Sequence, residues 1–166
     1  MAATLLILTA ILLNIPADEC VEIIGGKEVR NHSVPFMALV RSREGICGGA
    51  LIKPDWVLTA AHCQARKMTV TLGALSLTQK EKEKQQFTVT QTFPHNQFNN
   101  KTGENDLMLL KMNKPAILNK FVSTLALPKP QTDVRTKMQC SVAGWGITKP
   151  KKTQPSDKLM QVTNLN

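Results

Sequence analysis

Aromatic side chains are scarce in this 166-residue sequence, which has no tyrosine, five phenylalanines and two tryptophans. Their scarcity matters because 21 Lys and Arg against 12 Asp and Glu give a net charge of +9, and nucleic acid is the first partner considered for a basic protein. Nucleic-acid sites combine clustered cations with aromatic rings that stack on bases. Here the basic residues are scattered along the chain, so we expect no nucleic-acid partner.

Histidine is also scarce, and the three that occur, His32, His62 and His95, lie far apart. Protein zinc sites take Cys, His and acidic ligands, often at short, recurring spacings. The sequence has no Cys or acidic pair at such a spacing. We therefore expect no metal ion and no other cofactor.

One long apolar run occurs, at residues 1–13, and it carries no charged side chain. A bilayer-spanning helix needs about 20 apolar residues, whereas the apolar part of a signal peptide needs about 7–15. We predict a signal peptide over residues 1–20 and no membrane partner. Cleavage after Ala17 and an N-terminal core helix are the alternatives.

The positive charge belongs to the remainder of the chain. Residues 1–22 hold three acidic residues, Asp18, Glu19 and Glu22, and no Lys or Arg. The other 144 residues therefore have 21 basic and 9 acidic side chains, a net charge of +12. One explanation is that the exposed lysines keep the protein soluble. The alternative is that such a surface attracts polyanions, which makes anionic proteoglycan a candidate partner.

After Glu22 the sequence is a succession of short apolar or β-branched segments separated by Gly, Pro, Asn or charged residues. This spacing, without a long segment of helical period, is typical of an all-β fold. The predicted strands are Phe36–Arg43, Ala50–Ile52, Trp56–Leu58, Met68–Leu72, Gln86–Thr90 and Leu107–Lys111. Two later strands, over 139–146 and 158–164, cannot bury a face alone and indicate the start of a second sheet. The segments 80–84, 96–104 and 149–155 are predicted loops.

His62 is the candidate for proton transfer. It lies in Thr59–Cys63, just after a predicted strand, and imidazole takes up and returns protons near neutral pH. Asp106 heads another apolar strand, and a carboxylate there can accept the imidazole N–H and fix its tautomer. From spacing alone, Asp106 is better explained as a turn residue. His32 and His95 are interpreted as structural or surface residues.

Five motifs resemble the trypsin/chymotrypsin family of serine proteases, in that family's order and at its spacings. They are Ile23–Gly26, Cys47–Leu51, Trp56–Cys63, Asp106–Lys111 and Val142–Gly146. Four further segments resemble its granzyme branch, most of all granzymes A and K: Ile23–Val29, Ser33–Met37, Leu72–Ser76 and Pro155–Leu159.

This resemblance implies a fold and a function for residues 23–166. The fold is all-β, a trypsin-like double antiparallel β-barrel whose first barrel, roughly 23–130, is nearly complete and whose second is only begun. The function is serine-type endopeptidase activity on protein substrates, with His62 as general base and Asp106 as the carboxylate that orients it. The resemblance also implies a disulfide between Cys47 and Cys63.

The resemblance further implies how the protein is processed and where it resides. Residues 21–22 are then an acidic activation propeptide that a dipeptidyl peptidase removes, and Ile23 is the new N-terminus of the active enzyme. The location implied is extracellular or a secretory granule of the cytotoxic type.

The sequence departs from the family at the nucleophile. The family motif Gly-Asp-Ser-Gly-Gly does not occur in these 166 residues, and all six serines have other neighbours. We expect the chain as given to be inactive, as an incomplete copy or an alternative short product of a granzyme-like enzyme. The alternative is a non-catalytic, cationic glycan-binding protein that keeps the protease scaffold.

Modification sites complete the sequence-based expectations. If Cys20 leaves with the signal peptide, three cysteines remain, and Cys140 is expected to be unpaired because the resemblance places its partner further along the chain. Asn31 and Asn100 each begin an Asn-X-Ser/Thr sequon and are candidates for N-glycosylation.

Overall fold

The computed structural model describes residues 23–30, 33–130, 138–149 and 153–163. The predicted signal peptide, the propeptide and Asn31 lie outside the described residues. Within these ranges, no helix is long and apolar enough to cross a bilayer. The described regular structure is nine β-strands and one short 3₁₀ turn, Ala61–Cys63.

Six antiparallel strands close into a barrel in the order β2-β3-β4-β7-β6-β5. They are β2 (Met37–Arg41), β3 (Ile46–Lys53), β4 (Trp56–Thr59), β5 (Thr69–Leu72), β6 (Gln85–Pro94) and β7 (Met108–Met112). The other three strands form a separate antiparallel sheet in the order β1-β9-β8. They are β1 (Lys27–Glu28), β8 (Ser141–Gly144) and β9 (Met160–Thr163).

The barrel closes around an apolar core because its strands alternate in burial, as the twofold period of a strand requires. In β5 and β7 every second residue is buried. The core is made largely of aliphatic and methionine side chains, among them Val40, Leu51, Val57, Val70, Leu72, Phe87, Met108, Leu110, Met112 and Val122. Aliphatic side chains thus fill the interior of a barrel built with few aromatic residues.

The structure confirms the all-β prediction and places a strand over each of the eight predicted segments. The structure also differs from the prediction in the extent of the barrel and in one additional strand. The barrel is closed by strands that lie within residues 37–112, whereas the prediction gave it the range 23–130. In addition, β1 pairs with β9, so the start of the described chain belongs to the second sheet. The sequence does not predict β1 because both of its residues are exposed and charged, so no hydrophobic pattern marks this strand.

The charged run at 80–84 is a loop, as predicted, but it is held by specific contacts. The Glu81 carboxylate accepts hydrogen bonds from the backbone N–H groups of Leu75 and Ser76. Lys84 pairs with Glu81 at 3.2 Å and donates to the carbonyl oxygens of Ser76 and Gln79. This loop therefore braces the segment that leads out of β5.

A buried serine joins the barrel to the second sheet. Ser76 is fully buried, and its hydroxyl donates to the Asp157 carboxylate at 2.8 Å. The same hydroxyl oxygen accepts the backbone N–H groups of Thr78 and Gln79, at 3.2 and 2.9 Å. The hydrogen bond from Ser76 lowers the pKa of Asp157, and bonds from Thr78 add to the effect against the opposing effect of burial.

Apolar packing reinforces this junction. Val29, Leu39, Ala74, Trp145 and Leu159 are buried in one cluster that takes residues from both the barrel and the second sheet. The Leu159 backbone N–H donates to the carbonyl of Leu75 at 2.7 Å, which ties the segment before β9 to the segment after β5. The second sheet is thereby fixed against one side of the barrel.

We predict that Ser76→Ala lowers the free energy of unfolding by about 1–3 kcal/mol, the usual cost of leaving buried polar groups unpaired. The variant removes the hydroxyl from the Asp157 carboxylate and from two backbone N–H groups. Urea unfolding followed by tryptophan fluorescence measures the change. Ser33→Ala is the control, because Ser33 is exposed and should change stability by less than about 0.5 kcal/mol. Equal effects of the two variants would contradict the role assigned to Ser76.

Candidate active site

His62 and Asp106 meet at one end of the barrel because β4 and β7 are paired. The register places Thr59 opposite Met108. The 3₁₀ turn Ala61–Cys63 follows β4, and Asp106 lies two residues before β7 begins. Residues 44 positions apart in sequence are therefore brought into direct contact.

A left-handed residue sets the direction of the Asp106 side chain. Asn105 has φ 55°, a conformation in which asparagine is enriched among non-glycine residues. Its side-chain amide donates to the carbonyl of Gln97 at 3.1 Å, and its carbonyl accepts the Leu107 N–H at 2.7 Å. These bonds stabilise a tight turn immediately before β7.

Asp106 holds His62 at two points. One carboxylate oxygen, Oδ1, accepts the His62 backbone N–H at 2.9 Å, and Oδ2 lies 2.6 Å from Nδ1 of the imidazole. Burial disfavours ionisation of Asp106, but the hydrogen bonds from the His62 side chain and backbone outweigh it and hold the pKa of Asp106 below its usual value. Because the ionised carboxylate can only accept, Nδ1–H donates to it.

This arrangement leaves the other imidazole nitrogen, Nε2, free to accept a proton. The His62 side chain is 42% exposed and the Asp106 side chain 25% exposed, so a reacting group can reach the imidazole while the carboxylate stays partly screened. An imidazole whose Nδ1–H is held by a carboxylate can act as a general base through its other nitrogen.

The Cys47–Cys63 disulfide is present and anchors the His62 turn. It joins the beginning of β3 to the 3₁₀ turn, with its Cα atoms 6.4 Å apart and a sequence separation of 16. Closing a loop of about 15 residues restricts the unfolded chain and is worth about 3 kcal/mol in the chain-entropy model. The same bond therefore stabilises the fold and limits the movement of His62.

An apolar cleft of about 560 Å³ lies between the barrel and the second sheet, and His62 is part of its wall. The disulfide lies in the same wall, while the second sheet contributes Ser141, Ala143 and Gly144. Ligand sites are usually concave and mostly apolar, with few polar groups. His62 therefore lies beside a space that a polypeptide segment could enter.

Ile23 is buried against the second sheet. Its backbone nitrogen donates to the carbonyl of Ile147 at 2.7 Å, and its side chain is fully buried. A Cβ atom at Gly26 would lie 2.6 Å from the Ile23 side chain, and one at Gly144 would lie 3.3 Å from it. The pocket that receives Ile23 therefore depends on two glycines. Its role as an activated N-terminus stays a prediction.

All six serines are in the described residues, and none of them hydrogen-bonds to His62. Ser141 lines the same cleft as His62, but its hydroxyl shares a 3.1 Å hydrogen bond with Thr163. Ser76 is fully buried in the junction with the second sheet. The described residues thus supply the imidazole and the carboxylate without a nucleophile.

One cluster of metal-ligating residue types comes together that the sequence did not indicate. Ligand atoms of Cys47, His62 and Cys63 lie within 4.8 Å of one another. Cys47 is distant in sequence, so spacing could not reveal it. The two sulfurs are joined in the disulfide, and the thiolate form that binds metals is therefore unavailable to both.

The remaining predicted residues lie away from the cleft lining. Cys140 is exposed and is the free cysteine of the described residues. Asn100 is exposed in the predicted polar loop at 96–104, and the Thr102 hydroxyl of its sequon donates to Glu104 at 3.0 Å. Occupancy of the Asn100 site stays a prediction.

Comparison with known proteins gives consistent matches. The sequence profile of the trypsin family matches residues 23–165. Granzyme-like protein 1 of Rattus norvegicus is 45% identical over 95% of this chain and 64% of its own length. Granzyme A of Bos taurus is 43% identical over 86% of this chain and 55% of its own length. The solved structure of GrC aligns with a TM-score of 0.80 at 40% identity, covering 85% of this chain and 64% of that chain. The chain thus spans less than two thirds of the length of these relatives.

We predict that the Asp106 carboxyl titrates below its ordinary value of 3.8 and that His62→Ala raises its pKa. The variant loses the imidazole's hydrogen bond and charge but keeps the backbone N–H of residue 62, so part of the depression should remain. Carbon-13 NMR of the aspartate carboxyls, recorded against pH, measures both titrations. Ser33→Ala, a change at an exposed residue outside the turns that carry His62 and Asp106, is the control and should leave the Asp106 titration unchanged.

The same shift has a consequence for stability. Because the pKa of Asp106 is depressed in the folded state, its ionised form stabilises the fold above the unfolded-state pKa, and this contribution is lost as pH falls through the folded-state pKa. His62→Ala should reduce this contribution. An Asp106 titration that is identical with and without the imidazole would contradict the pairing.

Proposed function

Because the chain belongs to the trypsin family of serine peptidases, we propose that it carries the imidazole and carboxylate of a granzyme-type serine endopeptidase. The proposal is supported by two contacts between Asp106 and His62. The carboxylate oxygens lie 2.9 Å from the backbone nitrogen and 2.6 Å from Nδ1 of His62. His62 is the general base and Asp106 the residue that orients it. Polypeptides are the proposed substrates.

In the proposed reaction, Nε2 of His62 takes the proton of a serine hydroxyl as the serine oxygen bonds to the scissile carbonyl carbon. The negative charge on Asp106 stabilises the imidazolium that results. The imidazolium then gives its proton to the leaving amine as the peptide C–N bond breaks. Hydrolysis of the acyl-enzyme repeats the sequence with water as the nucleophile.

The serine of this reaction is not among the 166 residues, since no Gly-Asp-Ser-Gly-Gly motif occurs and no described serine contacts His62. Loss of the nucleophile alone lowers turnover by up to about a millionfold. We therefore propose that this chain by itself does not cleave peptides, and that activity requires a further segment that bears the serine.

The proposed route to activity begins with export. A signal peptide at residues 1–20 directs the chain to a secretory granule or the extracellular space. A dipeptidyl peptidase then removes the dipeptide Val21-Glu22, after which a trypsin-like activator would not cut because residue 22 is neither Lys nor Arg. The buried position of Ile23, between Gly26 and Gly144, supports its role as the N-terminus that this cleavage exposes.

We predict that a fluorophosphonate, which labels activated serines, does not react with the 166-residue chain. A fusion that adds the C-terminal segment of rat granzyme-like protein 1 beyond the matched region, with residues before Ile23 removed, should be labelled. In the fusion, His62→Ala should abolish labelling, and Asp106→Asn should lower peptidase turnover by about 10⁴-fold. Labelled protein is measured by in-gel fluorescence.

Ser33→Ala is the matched control in the fusion, because its side chain is exposed and distant in sequence from the catalytic pair. Labelling of the unextended chain would overturn the proposed inactivity. A folded fusion that contains the Cys47–Cys63 disulfide and is not labelled would overturn the assignment of His62 and Asp106.

A second candidate function, a non-catalytic cationic protein that binds anionic glycan on the protease scaffold, is favoured by charge. The sequence after Glu22 carries a net charge of +12, and such a charge draws polyanions to the surface. In this function the proteoglycan is the partner and the imidazole has no catalytic role. Glycan binding taken alone, without the loss of catalysis, is also compatible with a peptidase that is stored on glycan.

We predict that the full chain is retained on heparin at physiological salt and elutes only at higher ionic strength, because the interaction is electrostatic and screened by salt. A sulfopropyl cation-exchange column of equal charge density is the comparison. Elution from heparin at a higher salt concentration than from this column indicates glycan binding. Elution from heparin at or below physiological salt would contradict the glycan partner.

A further inference from the structure

Four exposed cations that are spread over the sequence lie on one end of the barrel. They are Arg41, Arg43, Arg66 and Lys67, and we call them the basic rim. Arg41 ends β2 and Arg43 is in the turn that connects β2 to β3, while Arg66 and Lys67 lie three and two residues before the start of β5. Because β2 and β5 are antiparallel neighbours, the end of one strand meets the start of the other.

The pairing of β2 with β5 defines where these residues lie relative to one another. Arg41 is paired with Thr69 in the ladder between β2 and β5. The chain then turns back towards β3 between Ser42 and Gly45, so Arg43 lies in the turn next to the end of β2, and Lys67 lies two residues before Thr69 at the start of β5. The Cys47–Cys63 disulfide links the same two segments, since Arg43 lies four residues before Cys47 and Lys67 four residues after Cys63. The basic rim is therefore held by a ladder and a covalent bond.

Acidic side chains do not neutralise the basic rim. In the described ranges, the ion pairs are His62–Asp106, Lys84–Glu81 and Lys111–Asp55, and none of them includes a rim residue. Glu44 is the acidic residue of the adjoining turn. A hydrogen bond with Ser42 lowers the pKa of Glu44, and the charge of Arg43 contributes to the same direction. Four cations against one carboxylate leave an excess of positive charge.

The chemistry of the basic rim favours a sulfated or similarly charged oxyanion. Three of its four cations are arginines, whose planar guanidinium groups match oxyanions with two parallel hydrogen bonds. The rim contains no aromatic residue on which a nucleobase could stack. None of its residues lines the 560 Å³ cleft, so the rim suits a linear polyanion lying across the surface.

We propose that the basic rim is the surface on which this protein binds sulfated polysaccharide. This inference rests on the glycan partner proposed above and assigns it to particular residues. The rim and the His62–Asp106 pair lie at the same end of the barrel, because β2 and β4 end there and β5 and β7 begin there. A bound polysaccharide therefore flanks the entrance to the cleft without occupying it.

The experiment compares two double variants of the full chain that remove equal charge. Arg43→Gln with Lys67→Gln neutralises half of the basic rim. Lys53→Gln with Lys114→Gln is the matched control, because both lysines are exposed and lie at the opposite end of the barrel. Lys53 is the last residue of β3, and Lys114 lies two residues beyond the end of β7. Binding of a fluorescent heparin octasaccharide is measured by anisotropy at several NaCl concentrations.

The rim variant should bind about 20-fold more weakly than the wild-type chain at 0.15 M NaCl, if each lost contact releases about one fewer counter-ion. Its plot of log Kd against log salt concentration should be shallower by about 2. The control variant should differ from wild type by less than about 3-fold, through net charge alone. Thermal unfolding and disulfide mapping confirm that each variant is folded.

Each of the other possible results would overturn one particular part of the proposal. Equal losses of affinity in the two variants would show that binding depends on net charge and would overturn the basic rim as the binding surface. The proposal of a glycan partner would not be affected. No binding of heparin by the wild-type chain would overturn the partner itself. Equal or tighter rim-dependent binding of a DNA duplex, or of a poly-glutamate peptide, would overturn the choice of sulfated polysaccharide. The fluorophosphonate result is independent of all three.

Discussion

The pairing of β4 with β7 is the constraint on which the candidate site depends. Each strand is held by its own neighbours in the closed barrel, so the register Thr59–Met108 cannot slip without exposing core residues such as Val57 and Leu110. That register brings the turn after β4 to the turn before β7. The hydrogen bonds between His62 and Asp106 then complete a geometry that the barrel has already imposed.

The junction between the barrel and the second sheet depends on a different kind of contact. Apolar packing around Trp145 and Leu159 buries surface between the barrel and the second sheet. The directional contact is the hydrogen bond from the buried Ser76 hydroxyl to the Asp157 carboxylate. Since the cleft beside His62 is bounded by both units, this junction sets its width. The fold and the site are thus coupled through residues that take no part in proton transfer.

Sequence patterns predicted the strands well, because twofold alternation and turn residues are local signals. They missed β1, whose two charged residues pair with β9 through backbone groups alone, and they missed the burial of Ser76, which depends on a carboxylate 81 positions away. His62 and Asp106 were identified by family resemblance, since spacing alone leaves Asp106 a turn residue. The cations are scattered in the sequence, and the antiparallel pairing of β2 with β5 is what places Arg43 and Lys67 at the same end of the barrel.

The second sheet has one further consequence. Among the described residues, β8 pairs with β9 on one side and has no partner strand on its other side, so its outer backbone groups form an open edge. Ser141, Ala143 and Gly144 of β8 also line the cleft that contains His62. Any strand that adds to this edge, from the same polypeptide or another, will extend the sheet alongside the imidazole. A strand that pairs with β8 therefore also becomes part of the wall of the cleft.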